Sequence, residues 1–206
     1  MPNESAESAR RPLKSRSTAW ARALSSALVA RKVSPNAVSV FGMFVAFGGA
    51  AAMLAAGRGL PVWLGLLLGA AGVQIRLLCN LMDGLVAVEG GLKSKAGDLF
   101  NEAPDRIEDT VLLVAAGYAC GHGDLGWACA TLALCTAYLR ALGASLSLGQ
   151  DYRGPGAKPH RMAALTLGLL GAIALPVVLP TALWAIVVLT SITAVRRTIR
   201  IYQRLP

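Results

Sequence analysis

Residues 33–57 read VSPNAVSVFGMFVAFGGAAAMLAAG, 25 consecutive positions without a charged side chain. At about 1.5 Å of rise per residue, a helix of that length outreaches a hydrocarbon layer about 30 Å thick. The stretch predicts a membrane-spanning helix, and the rest of the chain repeats the pattern. Gly59–Ile75 is again uncharged, Arg76 interrupts, and Leu77–Met82 continue, giving a second helix from about Pro61 to about Ala87. Gly90 and Gly91 break it, and a third helix follows Gly97, polar at first and apolar from Thr110 to Ala119. A fourth runs from about Leu125 to Leu148 and carries Arg140. The 34 uncharged residues between Arg161 and Arg196 are too many for one straight span, and Pro176 and Pro180 divide them into a hairpin of two.

Composition agrees with that reading. Of 206 residues, 55% are hydrophobic and 15% charged, which excludes both an ordinary soluble globule and a disordered chain. The 22 glycines suit helices packed closely in lipid. Cys79, Cys120, Cys129 and Cys135 show no metal spacing and are read as small core residues. The fold expected is therefore all-α: an integral membrane bundle of six transmembrane helices over residues 34–206. A basic tail, disordered in composition, occupies 1–17. Residues 18–33, with Trp20, Leu24 and Leu28 on one stripe, form an interfacial amphipathic helix.

Charge gives the orientation. The net charge is +9, and with six spans the basic N-terminal residues, the loops at Lys93/Lys95 and 153–161, and the tail from Arg196 to Arg204 share one side. The opposite side keeps only Arg58 among basic residues. This bias predicts that both termini and the acidic segment 83–109 face the cytoplasm, with anionic lipid rather than nucleic acid as the partner of the positive charge; the expected location is a bacterial inner membrane.

Against that basic background, seven of the eleven acidic residues (Asp83, Glu89, Asp98, Glu102, Asp105, Glu108, Asp109) fall within 27 positions. On the second helix Arg76, Asn80, Asp83 and Ala87 are spaced by four, three and four, so they share a face. On the third, Gly97, Asn101 and Asp105 do the same. Two helices thus offer oxygen ligands at one membrane depth, where hard divalent cations bind together with phosphate. Gly84, Ala87 and Gly97 lack bulk and let a flat or phosphate-bearing ligand approach. The alternative is that the acids neutralise Arg76, Lys93, Lys95 and Arg106 at a helix interface. A transport site is disfavoured, because the acids lie near one membrane face rather than at the midplane.

The string Asn80-x2-Asp83-Gly84-x2-Ala87-Val88-x8-Gly97-x3-Asn101-x3-Asp105 resembles the signature of the CDP-alcohol phosphatidyltransferase family, Asp-x2-Asp-Gly-x2-Ala-Arg-x8-Gly-x3-Asp-x3-Asp, with every interval kept across 26 residues. Ser34-Pro35-Asn36 resembles the Pro-Asn pair before the family's first span. The resemblance implies a six-helix membrane enzyme, commonly a homodimer. It transfers a phosphatidyl group from CDP-diacylglycerol or another CDP-linked donor to an alcohol acceptor and releases CMP in phospholipid synthesis. It further implies one or two Mg²⁺ or Mn²⁺ ions, Asp105 as the catalytic base, and Asp83, Gly84, Ala87 and Gly97 at the nucleotide.

Three positions depart from the pattern: Asn80 and Asn101 replace Asp, and Val88 replaces Arg. An Asn carbonyl can ligate a metal without bringing charge. Asp98 and Glu102, on a stripe that meets the first at Asp105, are the expected substitutes, so the metal set reads Asn80, Asp83, Asp98, Asn101, Glu102 and Asp105. Arg76, Arg140, Arg153, Lys158, His160 and Arg161 are the candidate ligands for a phosphorylated polyol acceptor or for the donor phosphate. The other reading of the departures is a catalytically degenerate or cation-binding membrane protein on the same scaffold.

Overall fold

The computed structural model describes residues 18–92 and 95–205; between residues 95 and 101 the side chain of Leu99 alone is described. The expected basic segment 1–17 lies outside the described residues. Among the described residues seven helices follow in order: α1 Ala19–Ala30, α2 Pro35–Ala55, α3 Val62–Glu89, α4 Lys95–Ala119, α5 Gly123–Ser145, α6 Lys158–Ala172 and α7 Val178–Tyr202. No strand occurs among the described residues.

Local chemistry sets the helix ends. Ser34 caps α2 by accepting the Ala37 amide at 3.2 Å, with Pro35 in the first turn where a missing N–H costs nothing. At the end of α3, Gly91 takes a φ of +64° while the Gly91 and Leu92 amides return to the Val88 and Ala87 carbonyls. This is a glycine-dependent Schellman ending, and it reverses the chain toward α4. Residues 173–177, with Pro176, separate α6 from α7 where the sequence placed the hairpin.

Helices α2 to α7 close a ring through the contacts α2–α3, α3–α6, α6–α7, α7–α5, α5–α4 and α4–α2. Its interior holds Met53, Val73, Leu112, Leu113, Leu165, Leu169, Leu183 and Ile186. Small residues let the backbones meet. A Cβ on Gly72 would lie 2.9 Å from the Gly49 Cα, and one on Gly126 would lie 3.0 Å from the Gly117 Cα. Gly65 and Gly69, a pair also suited to contact between subunits, are used inside the bundle against Ala52 and Met53 of α2 and Ala56 just past its end.

Four helices (α2, α3, α5 and α7) are long and apolar enough to cross a membrane. The other two members of the ring fall short for different reasons. Helix α4 carries the acidic cluster in its first half, and α6 has only 15 residues, about 22 Å of rise. Helix α1 packs Ala21 and Leu28 against Cys79, Leu81 and Met82, and its buried Ser25 donates to Glu89 Oε2 at 2.5 Å. Trp20 and Leu24 face outward, so only Leu28 of the expected stripe turns to the bundle. All four cysteines are free. Cys79 and Cys129 are buried as expected, whereas Cys120 is half-buried and Cys135 exposed, because Cys135 falls on the outer face of α5.

The glycine contacts carry a prediction. Gly72→Leu forces α2 and α3 apart and should destabilise the protein by about 1–3 kcal/mol. Gly48→Ala, where an added Cβ meets nothing within 4 Å, should be neutral or slightly stabilising. Thermal unfolding in detergent distinguishes the two.

Candidate functional site

The acidic cluster sits where the C-terminal half of α3 meets the first half of α4 and the start of α6. Its centre is Arg76, with no exposed surface. The guanidinium Nη2 lies 2.9 Å from Asp105 Oδ1 and 2.8 Å from Asp109 Oδ1, and it donates to the Asp105 carbonyl at 3.1 Å. Nε donates to Glu108. Asp105, Glu108 and Asp109 share one face of α4 by their three- and four-residue steps, so one forked side chain on α3 meets all three. Both Glu108 and Asp109 are buried.

Asp105 is the most heavily contacted carboxylate. Its Oδ1 accepts from Asn80 Nδ2 as well as Arg76, and its Oδ2 lies 2.6 Å from Lys158 Nζ and 3.2 Å from Arg106 Nη2. Lys158 Nζ also lies 3.6 Å from Asp109 Oδ1, and Arg161 Nη2 lies 3.6 Å from Asp109 Oδ2. Asp83, one turn beyond Asn80, is 3% exposed. Ser39 of α2 donates to its Oδ2 at 2.7 Å, while Oδ1 is buried without a hydrogen-bond partner.

The remaining predicted residues are distributed around this cluster. Gly84 is buried and Ala87 half-buried on the α3 face. Gly97, Asp98 and Asn101 lie on the first turns of α4, and their side chains are outside the described set. Glu102 is exposed and accepts from Arg140 Nη2 with both oxygens at 2.7 and 2.6 Å. Arg140 also stacks on Tyr152, 5.3 Å from the ring centroid. Arg161 is buried, donating to the Gly156 carbonyl at 2.7 Å and approaching Thr136 Oγ1 at 3.3 Å. Arg153 on the loop and His160 in the first turn of α6 are exposed, Arg153 paired with Asp151 at 3.2 Å. Of the six basic candidates, Arg76, Lys158 and Arg161 therefore converge on the acids and Arg140 joins through Glu102.

In that loop the Asp151 carboxyl is held below the usual carboxylate range. Partial burial opposes ionisation, but hydrogen bonds from the Arg153 amide and from Arg200 outweigh it.

Asp83 Oδ1 and the Asn80 side-chain oxygen are hard oxygen donors one turn apart on α3, and the buried Asp83 oxygen without a hydrogen-bond partner is an atom that a divalent cation could complete. No group of three or more His, Cys, Asp or Glu side chains converges as a metal cage among the described residues. The space between Asp105 and Asp109 is already bridged by Lys158 and Arg76.

Glu108, Asp109 and Ser39 lie outside the expected metal and phosphate sets, and the structure brings all three to the site. The steps of three and four from Asp105 were the available signal for the first two. The signal for Ser39 was its position one helical turn inside the Pro35 end of α2.

Arg76→Met strands two buried carboxylates and should cost about 3–5 kcal/mol, whereas Glu108→Gln, which keeps an acceptor for Nε, should cost less. Arg76→Lys should recover only part of the loss, since one ammonium cannot fork to three acids. Thermal unfolding of the three variants in detergent reads this order.

No family model matches the chain. A phosphatidylinositol phosphate synthase of Streptomyces avermitilis is 29% identical over 189 residues, covering 84% of this chain and 74% of that protein. The crystal structure of Mycobacterium tuberculosis phosphatidylinositol phosphate synthase (PgsA1) in complex with manganese and citrate superposes with a TM-score of 0.75 at 21% identity, covering 88% of each chain. The same enzyme with CDP-DAG bound gives 0.75, covering 88% of this chain and 93% of that one. The retained intervals from Asn80 to Asp105, the relative aligned along most of the chain and the shared fold agree, and together they support the resemblance to the CDP-alcohol phosphatidyltransferase family.

Proposed function

We propose that the chain transfers a phosphatidyl group from CDP-diacylglycerol to a hydroxyl of a phosphorylated polyol, releasing CMP. The observation that carries this reading is the pair Asp83 and Asp105, which keep the family positions at one end of the bundle, Asp83 with a buried oxygen that no described residue satisfies. The name of the Streptomyces relative and the donor bound in the solved structure support the donor class and the type of reaction. The basic side chains beside the site, Arg140, Lys158 and Arg161 with Arg153 and His160 at the rim, support a phosphorylated acceptor over a neutral one.

A bound Mg²⁺ or Mn²⁺, held by Asp83 and Asn80 with Asp98, Asn101 or Glu102 as further ligands, supplies charge neutralisation at the donor pyrophosphate. The rest falls to the chain. Asp105 accepts the proton of the acceptor hydroxyl, the oxygen bonds to the lipid-side phosphorus, and the bond from that phosphorus to CMP breaks, the electron pair leaving on CMP. Asp105 must first exchange one of its contacts with Lys158 or Arg106 for the hydroxyl. Gly84, Ala87 and Gly97 leave room for the nucleotide between α3 and α4. In this reading α4 and α6 complete six spans, α1 lies at the interface, and the chain pairs as a homodimer. The site then opens to the cytoplasm in a bacterial plasma membrane.

One observation favours the non-catalytic alternative: Asp105 is engaged by Arg76, Arg106 and Lys158 at once, and two signature acids are Asn. Purified protein given CDP-diacylglycerol, Mn²⁺ and inositol phosphate, glycerol phosphate or serine decides between them by the CMP released. We expect CMP with a phosphorylated polyol, and Asp105→Asn should lower kcat by about 100-fold or more in protein that circular dichroism and gel filtration show to be folded. No CMP with any acceptor would leave the scaffold without this activity.

A further inference from the structure

We propose that the ammonium of Lys158 is a built-in replacement for one of the two divalent cations implied by the family signature, so that this chain loads a single ion. Nζ lies 2.6 Å from Asp105 Oδ2 and 3.6 Å from Asp109 Oδ1, bridging two carboxylates as a metal would. It is buried, and it stands within electrostatic reach of Asp83 and Glu108 as well.

The backbone holds it there. Lys158 opens α6, with Pro159 in the first turn, and the preceding Gly156 is pressed against α7 so closely that a Cβ would sit 2.4 Å from the Thr190 amide nitrogen. The Gly156 amide donates to Thr193 Oγ1 at 2.8 Å, and Arg161, one turn on, donates back to the Gly156 carbonyl. A lysine on so fixed a base is not a surface side chain that has drifted into an acidic site.

The charge count leads to the same number. Five carboxylates (Asp83, Glu102, Asp105, Glu108 and Asp109) meet five cations (Arg76, Arg106, Arg140, Lys158 and Arg161), so the described cluster is already neutral. One divalent ion at Asp83 Oδ1 adds two positive charges, which a pyrophosphate can balance. A second ion on Asp105, the last acid of the signature, would have to displace Lys158 or share that carboxylate with it. Asn80 and Asn101 remove the negative charge that would have attracted that ion.

The functional consequence rests on the transferase reading, but the ion count does not. Full-length protein in detergent is titrated with Mn²⁺ alone, free Mn²⁺ is followed by electron paramagnetic resonance, and bound metal is counted after gel filtration. One ion per chain is expected in the wild type and in Lys158→Arg. Two are expected in Lys158→Met, where the bridge is gone and the carboxylates are released. Two ions or none in the wild type overturns the proposal. So does a single ion in a Lys158→Met protein whose circular dichroism and thermal unfolding show it folded. If Lys158→Met does not fold, the wild-type count decides alone. One bound ion without CMP release would defeat the transferase reading and leave this one standing.

Discussion

A guanidinium with no exposed surface, facing three carboxylates across a helix interface, is the constraint on which the site depends. A buried charge left alone costs several kcal/mol, so neither Arg76 nor its partners can be present without the others. Arginine suits the position because its planar fork presents donors in several fixed directions, enough for Asp105, Glu108 and Asp109 together. The pairing also fixes the rotation of α4 about its own axis. With Glu108 and Asp109 turned toward Arg76, Asp105 must face Asn80 one turn along α3.

That rotation matters only if the helices are close, and closeness is set by glycine. Gly49 and Gly72 let α2 and α3 pack backbone to backbone, and on the same pair of helices Ser39 reaches Asp83. The hydroxyl satisfies one carboxylate oxygen and leaves the other bare. Apolar packing in the middle of the bundle therefore determines which oxygen at its end remains available.

Much of this was legible in the sequence. Uncharged runs located α2, α3, α5 and the α6–α7 hairpin, and the steps of three and four placed Arg76, Asn80 and Asp83 on the face that meets Asp105. What a single helix cannot reveal is which of its faces a neighbour will cover. Asp105, Glu108 and Asp109 could be grouped from spacing, but their burial depended on Arg76 arriving from another helix. For the same reason Trp20 and Leu24 turn outward while Ala21 and Ser25 turn in, and Gly65 and Gly69 serve the bundle itself. The short α6 reflects a local competition that hydropathy does not register. Pro176 and its neighbours end the helix well before the apolar run ends.

The departures from the family signature belong together physically. An aspartate at position 80 would set a second carboxylate at hydrogen-bonding distance from Asp105, an arrangement that needs a cation or a shared proton between them. The asparagine found there donates its amide to Asp105 Oδ1, so the two side chains meet in a direct hydrogen bond. Lys158 then takes the other oxygen of the same carboxylate. Either change alone would leave Asp105 mismatched: aspartate at 80 beside Lys158 would add a charge, and asparagine at 80 without Lys158 would leave one oxygen with only Arg106. The two residues lie 78 positions apart in the chain and act on opposite oxygens of one side chain. Alone, Asn80 is a loss of charge; in the proposed single-ion site it is half of a substitution whose other half lies on α6.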